Sequence, residues 1–274
     1  MVSTQTESEI GHDRSIATVL EFDRTGLEYI VDGKPRRIIE EISLSIAQGE
    51  FVSFVGPSGC GKTSILRMIS GLAPAPIGEV RHHGTPITKP LKNIGIAFQS
   101  PVLMPWRTVL QNVMLPLEVV QPYKKDFKTK KAEYAQMAED LLATVGLKDF
   151  KHQFPWQLSG GMRQRASLCR ALIHQPELLL LDEPFGALDP FTREDMWMML
   201  QSLWQRVNCS CVLITHDLRE AVFLSDTVYV MSPRPSSIIY QLKPNLPRPT
   251  TIETMLSDEF NLLVADLRRH IYRS

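Results

Sequence analysis

Residues 56–63 read Gly-Pro-Ser-Gly-Cys-Gly-Lys-Thr, a full match to the pattern G-x-x-x-x-G-K-[ST]. Nothing else in the chain constrains the fold as tightly, because this pattern works only between a strand and a helix. Phe51 to Val55 is a short apolar run rich in strand formers and predicts a buried strand. Ser64 to Ile69 has helical spacing, and Gly71 is a natural stop. Gly56, Gly59 and Gly61 let the backbone wrap a phosphate and aim its N–H groups inward. The helix start adds partial positive charge. Pro57, Ser58, Cys60 and Ser64 complete the candidate cradle. Lys62 supplies the full charge for the β- and γ-phosphates of a nucleotide, and Thr63 offers a hydroxyl to Mg²⁺.

Leu178 to Leu181 is a four-residue apolar run that ends in Asp182 and Glu183. Such a run suits a parallel strand buried on both faces. Acids at its C-terminal end then sit at the open sheet edge, where ligands bind. In an isolated strand these acids would be read as merely solvated. With a phosphate loop in the same chain, Asp182 becomes a candidate Mg²⁺ holder through water, and Glu183 a candidate general base. Cys211 to Ile214 is another buried-strand candidate, and it carries His216 to the same edge. A lone histidine is usually a surface or satisfied core residue.

Leu158-Ser159-Gly160-Gly161-Met162 holds a second glycine pair. Ser159 is a good helix N-cap, and Arg163 to Leu172 reads as a helix. A helix start with two glycines is an anion site. The chain thus has two phosphate sites but one phosphate loop.

Leu158 to Arg165 resembles the signature motif of ATP-binding-cassette (ABC) ATPases, and it precedes Asp182 at that family's usual spacing. The family's other markers follow in order. Gln99 looks like the Q-loop glutamine, Ala187-Leu188-Asp189 like the D-loop, and His216 like the switch histidine. The resemblance runs from about residue 18 to about 240. Met162 departs from the commoner glutamine after the glycine pair.

This resemblance implies an α/β P-loop NTPase fold: an ABC-type nucleotide-binding domain with a RecA-like core, an antiparallel β subdomain and a helical subdomain. The ATPase domain would span 17–243, with the helical subdomain at about 101–165. A flexible tail, 1–16, would precede it, and a C-terminal linker and helix, 244–274, would follow. ATP and Mg²⁺ are the implied ligands. Two copies would pair head to tail, each ATP lying between Lys62 of one and Ser159, Gly160 and Gly161 of the other, with Asp189 beside it. His216 would contact the γ-phosphate and orient the attacking water. Gln99 would sense Mg²⁺ and that water. Tyr29 is a plausible adenine-stacking aromatic, with Phe22 the alternative.

The segment Pro101 to Arg107 would be a partner groove if exposed, and by resemblance it would receive a coupling helix from a membrane permease. Glu183 to Asp189, and Asp217 after the histidine, look like importer forms. Leu103 to Trp106, Glu220 to Asp226 and Met231 to Pro235 most resemble the nitrate/sulfonate/taurine group of importers. The expected setting is the cytoplasmic face of the inner membrane, with permease subunits as partners and a solute-binding protein as an indirect one. The competing classes are a soluble ABC ATPase of DNA repair or translation and a free-standing exporter cassette. The first class usually carries a long coiled coil or a second cassette, and neither is evident.

With 274 residues, 43% of them hydrophobic, the chain can bury a sizeable core. Its 30 Lys+Arg balance 30 Asp+Glu, so no general attraction to nucleic acid is implied. No signal peptide and no bilayer-spanning apolar run are expected. The four cysteines follow no metal spacing and suit a reduced cytosol. Cys60, in the loop near a helix start, is expected to be a reactive thiol. Residues 18–55 are expected to form an antiparallel sheet, and Lys124 to Lys131 a solvated loop. Pro244, Pro247 and Pro249 mark a linker. Beyond it, Met255, Phe260, Leu263 and Leu267 lie at helical intervals that suit core docking.

Overall fold

A computed structural model of the chain describes residues 17–273; the expected tail, 1–16, lies outside the described residues. The chain opens with a hairpin of Thr18–Val31 (β1) and Lys34–Ala47 (β2). Its two-residue turn, Asp32-Gly33, has φ of 52° and 72°, the mirror-image turn that matches strand twist. Phe51–Val55 (β3), the phosphate loop and Lys62–Ile69 (α1) follow, then Ile77–His82 (β4), Thr85–Pro86 (β5) and Ile94–Ala97 (β6). Next come Val109–Val119 (α2), Tyr123–Asp126 (α3), Lys131–Thr144 (α4) and Gly160–Leu172 (α5). Leu178–Asp182 (β7), Pro190–Val207 (α6), Ser210–Thr215 (β8) and Leu218–Leu224 (α7) complete the alternating part. Thr227–Met231 (β9), Ile238–Leu242 (β10), Ile252–Leu256 (α8) and Asp258–Arg273 (α9) end the chain.

Two sheets result. The larger has the order β10-β9-β3-β8-β7-β6, parallel except for the β10 edge. The smaller is antiparallel, in the order β2-β1-β4-β5. This corrects one expectation. Residues 51–55 leave the antiparallel sheet for the centre of the parallel one, and β4 and β5 take their place through long-range pairing such as Leu20 with His82.

The parallel strands are buried on both faces, as their unbroken apolar runs require. Phe51 and Val55 face a core filled by Val113, Leu142, Leu168 and Leu200 of the helices. Val52 and Phe54 face the other core, shared with Ile65 and Ile69 of α1 and with Phe22 and Ile39 of the hairpin. Leu179 and Leu181 split from Leu178 and Leu180 in the same way. Each such side chain contributes about 1.5–3 kcal/mol by leaving water.

Two further expectations need correction. The charge run at 124–131 is not simply a loop: it contains most of α3 and the first residue of α4. Tyr123 and Phe127 pack on Tyr134, with ring centroids 5.8 and 6.0 Å away, and this aromatic cluster outweighs the charges. The C-terminal helical pattern breaks at Ser257, whose hydroxyl accepts a hydrogen bond from the Phe260 N–H at 3.2 Å and so starts α9. Met255, Phe260 and Leu267 are buried against the main core, and α9 packs on α7.

Candidate nucleotide site

The phosphate loop leaves β3 at Val55 and enters α1 at Lys62. Gly61 has φ of 110°, and a Cβ there would come within 2.9 Å of Ile39, so only glycine fits. The N-terminus of α1 has no side-chain cap and no acid in its first turn. Its amide donors and dipole are therefore left for an anion in the loop. Lys62 is buried, and its ammonium donates to the Gly56 and Pro57 carbonyls, each at 2.9 Å. A strong charge is thus held inside the curve of the loop.

Cys60 does not behave as the sequence suggests. It is 1% exposed, and burial raises its thiol pKa despite the nearby Lys62 charge. A protonated, inaccessible thiol is not a reactive one.

The acids sit at the C-terminal ends of the parallel strands. Asp182 ends β7, and the Thr63 hydroxyl donates to its Oδ1 at 3.1 Å. Burial raises the Asp182 pKa, with the Thr63 hydrogen bond opposing it. An acid desolvated beside a hydroxyl is a site that a divalent cation would complete. Glu183 follows, its N–H donating to the Ile214 carbonyl at 2.9 Å and its φ at 46°. That left-handed turn costs roughly 1–2 kcal/mol and swings the carboxylate off the strand line. His216, just past β8, places Nδ1 3.2 Å from Glu183 Oε2. Gln99, just past β6, closes the group. A Cβ built at Gly186 would meet Gln99 Nε2, the Glu183 carbonyl and His216 Cε1, each at 3.6 Å.

Ser159, Gly160 and Gly161 stand at the start of α5. Ser159 caps α5 by accepting from the Met162 N–H at 3.2 Å, and a Cβ at Gly160 would meet nothing within 4 Å. Asp189 caps α6, and its hydrogen bond from Thr192 lowers its pKa. Phe22 is 2% exposed and packs towards Phe54, which removes it as a stacking candidate. Tyr29 is 47% exposed on β1, two residues past Leu27, whose partner Ile39 abuts Gly61.

Sequence reading missed two connecting residues. Arg193 donates to Asp217 Oδ2 at 2.8 Å and to the Leu188 carbonyl at 3.0 Å, tying the segment before Asp189 to the turn after His216. Its signal was a cation in the first turn of a helix, where the dipole disfavours it. Gln164 donates to the Phe98 carbonyl at 3.3 Å, tying the helix of the glycine pair to the approach to Gln99. Nothing in the local pattern marked it.

Residues 39–186 match the family model described as ABC transporter. The chain belongs to the ABC transporter family. The cassette is 42% identical over 221 residues to the taurine import ATP-binding protein TauB of Yersinia pestis, covering 81% of this chain and 83% of that one. It is 38% identical over 230 residues to the bicarbonate transport ATP-binding protein CmpD of Synechocystis, covering 84% and 80%. A bacterial ABC transporter cassette solved as a dimer matches with a TM-score of 0.69 and 27% identity, over 83% of this chain and all of that one. The same protein has been solved in a post-hydrolysis state with ADP and Pi. The cassette is an ATP-binding ATPase, and no helix among its described residues is long and apolar enough to cross a membrane.

Proposed function

We propose that this cassette is the cytoplasmic, ATP-hydrolysing subunit of an importer for a small anionic or zwitterionic solute of the taurine, sulfonate, nitrate or bicarbonate kind. A membrane permease is its mechanical load, and a solute-binding protein delivers the cargo. The observation that carries the reading is an exposed apolar patch beside Gln99. Phe98, Val102 and Trp106 face outward, Trp106 at 71% exposure. Such a patch marks a partner surface. It is tied to the helix of the glycine pair, since Gln164 and Arg170 of α5 donate to the Phe98 and Val102 carbonyls. The cargo class rests on the relatives, because none of the site residues would touch the solute.

In this reading two cassettes pair head to tail. The backbone N–H groups of Gly56 and of residues 58–64, together with Lys62, hold the phosphates of ATP, Tyr29 stacks on the adenine, and Ser159, Gly160 and Gly161 of the second copy close over the γ-phosphate, with Asp189 lining the seam. Thr63, Asp182 and Gln99 would hold Mg²⁺, which neutralises phosphate charge when bound. Glu183 accepts a proton as a water oxygen bonds to the γ-phosphorus and the bond to ADP breaks. His216 keeps Glu183 and the water in line. Hydrolysis removes the ligand that joins the halves, and the two rigid bodies part.

The test is an affinity pull-down of tagged Glu183→Gln from native membranes with ATP and Mg²⁺. A polytopic permease that is lost on Trp106→Asp supports the proposal. Ribosomes or nucleic acid in its place would overturn it.

A further inference from the structure

We propose that His82, His83 and Glu177 form a binding site for a divalent transition-metal ion, zinc foremost. The ion would clamp the antiparallel sheet to the base of the parallel sheet. Among the described residues, they are the only group of three or more His, Cys, Asp or Glu side chains gathered closely enough to share an ion, with ligand atoms all within 4.8 Å of one another. Two imidazoles and one carboxylate are a recognised three-ligand zinc set that leaves a fourth position to water.

Neighbouring strand residues normally point to opposite faces, so a His-His pair should not converge. Here the backbone turns between them. His82 ends β4, and His83 and Gly84 have φ of 47° and 72° in the two-residue turn to β5. The left-handed φ of His83 brings the two rings to a centroid separation of 4.5 Å.

Glu177 comes from the other sheet and is fixed on both sides. Its N–H donates to the Asn93 carbonyl at 3.2 Å, and its carbonyl accepts from the Ser210 N–H at 3.0 Å. Its Oε1 contacts His83 Nε2 in a short hydrogen bond. His82 Nε2 is buried, makes no hydrogen bond and stands 3.7 Å from Glu177 Oε2. A buried ring nitrogen left in this way is costly unless something takes its lone pair or proton. Burial, and then His83, lower the His82 pKa, which favours the neutral ligand form. Ligand atoms around a tetrahedral zinc, each about 2 Å from it, lie about 3.3 Å apart, so modest side-chain rotation closes the set. The site is at the opposite end of β7 from Asp182, about 16 Å away along five strand residues, and is independent of ATP.

The experiment is calorimetric titration of untagged, nucleotide-free protein with Zn²⁺, paired with melting curves. His83→Asn keeps a turn residue that tolerates positive φ, and Glu177→Gln keeps the shape. The expected result is one site per wild-type chain, weakened more than about tenfold in either variant, and a melting temperature that rises with Zn²⁺ only in the wild type. Unchanged zinc binding in both folded variants, or none in the wild type, would overturn the proposal.

Discussion

Glu183 Oε2 and His216 Nδ1 stand 3.2 Å apart, although 33 positions separate the two residues in the chain. The parallel register of β7 and β8 produces the contact. Asp182 pairs with Ile214, so the next residues on each strand leave the sheet edge together. The φ of 46° at Glu183 then turns its carboxylate towards the ring. If Glu183 takes the proton of the attacking water, Glu183→Gln should bind ATP normally and lose about 10²- to 10⁴-fold in hydrolysis rate. Phosphate-release kinetics check this, and unimpaired turnover would reject Glu183 as the base.

Lys62→Ala should act on binding itself. The ammonium now donates to the carbonyls of Gly56 and Pro57, and phosphate oxygens would compete for the same protons. Charged hydrogen bonds contribute about 1.5–3 kcal/mol, so ATP affinity should fall about 10- to 100-fold. A fluorescent-nucleotide titration reads it.

The cysteines should be silent in the native protein. All four are buried. Burial raises the Cys60, Cys169 and Cys211 thiols, and pushes Cys209 up to about 11. A maleimide should label them only after denaturation. Stoichiometric labelling of native Cys60 would contradict the buried loop thiol.

Glu220 should set a pH dependence of stability. It is fully buried against Thr215, and burial pushes its pKa from 4.5 up to about 8. Below pH 4.5 it is protonated in both folded and unfolded chains. Between there and pH 8 only the unfolded chain releases the proton, so stability drains away as pH rises. Glu220→Gln should remove this loss, gaining up to about 5 kcal/mol over wild type by pH 8 and little at pH 4.5. Urea unfolding at several pH values tests it; parallel curves for the two proteins would count against a neutral buried Glu220.

What could be read in the sequence was local. The apolar run of β7 and the glycine pattern before α1 each carry their structural reason within a few residues. So does Ser159, whose capping role follows from its place before α5. What escaped depends on distant partners. The exchange of β3 for β4 in the antiparallel sheet rests on pairings such as Leu20 with His82. Cys60 is buried in a core it shares with the distant Met231 and Ile39. α3 exists because Tyr123 and Phe127 find Tyr134. The role of Arg193 appears only when α6 and the turn after β8 are side by side.

In the proposed dimer the ATP site is two-sided, with Lys62 of one copy facing Ser159 of another across the γ-phosphate. Light scattering of Glu183→Gln with and without ATP and Mg²⁺ tests it most directly. A dimer is expected only with ATP, and a monomer under the same conditions when Ser159→Arg is added, even though that double variant still binds nucleotide. A dimer that forms without ATP, or one that survives Ser159→Arg, would contradict it.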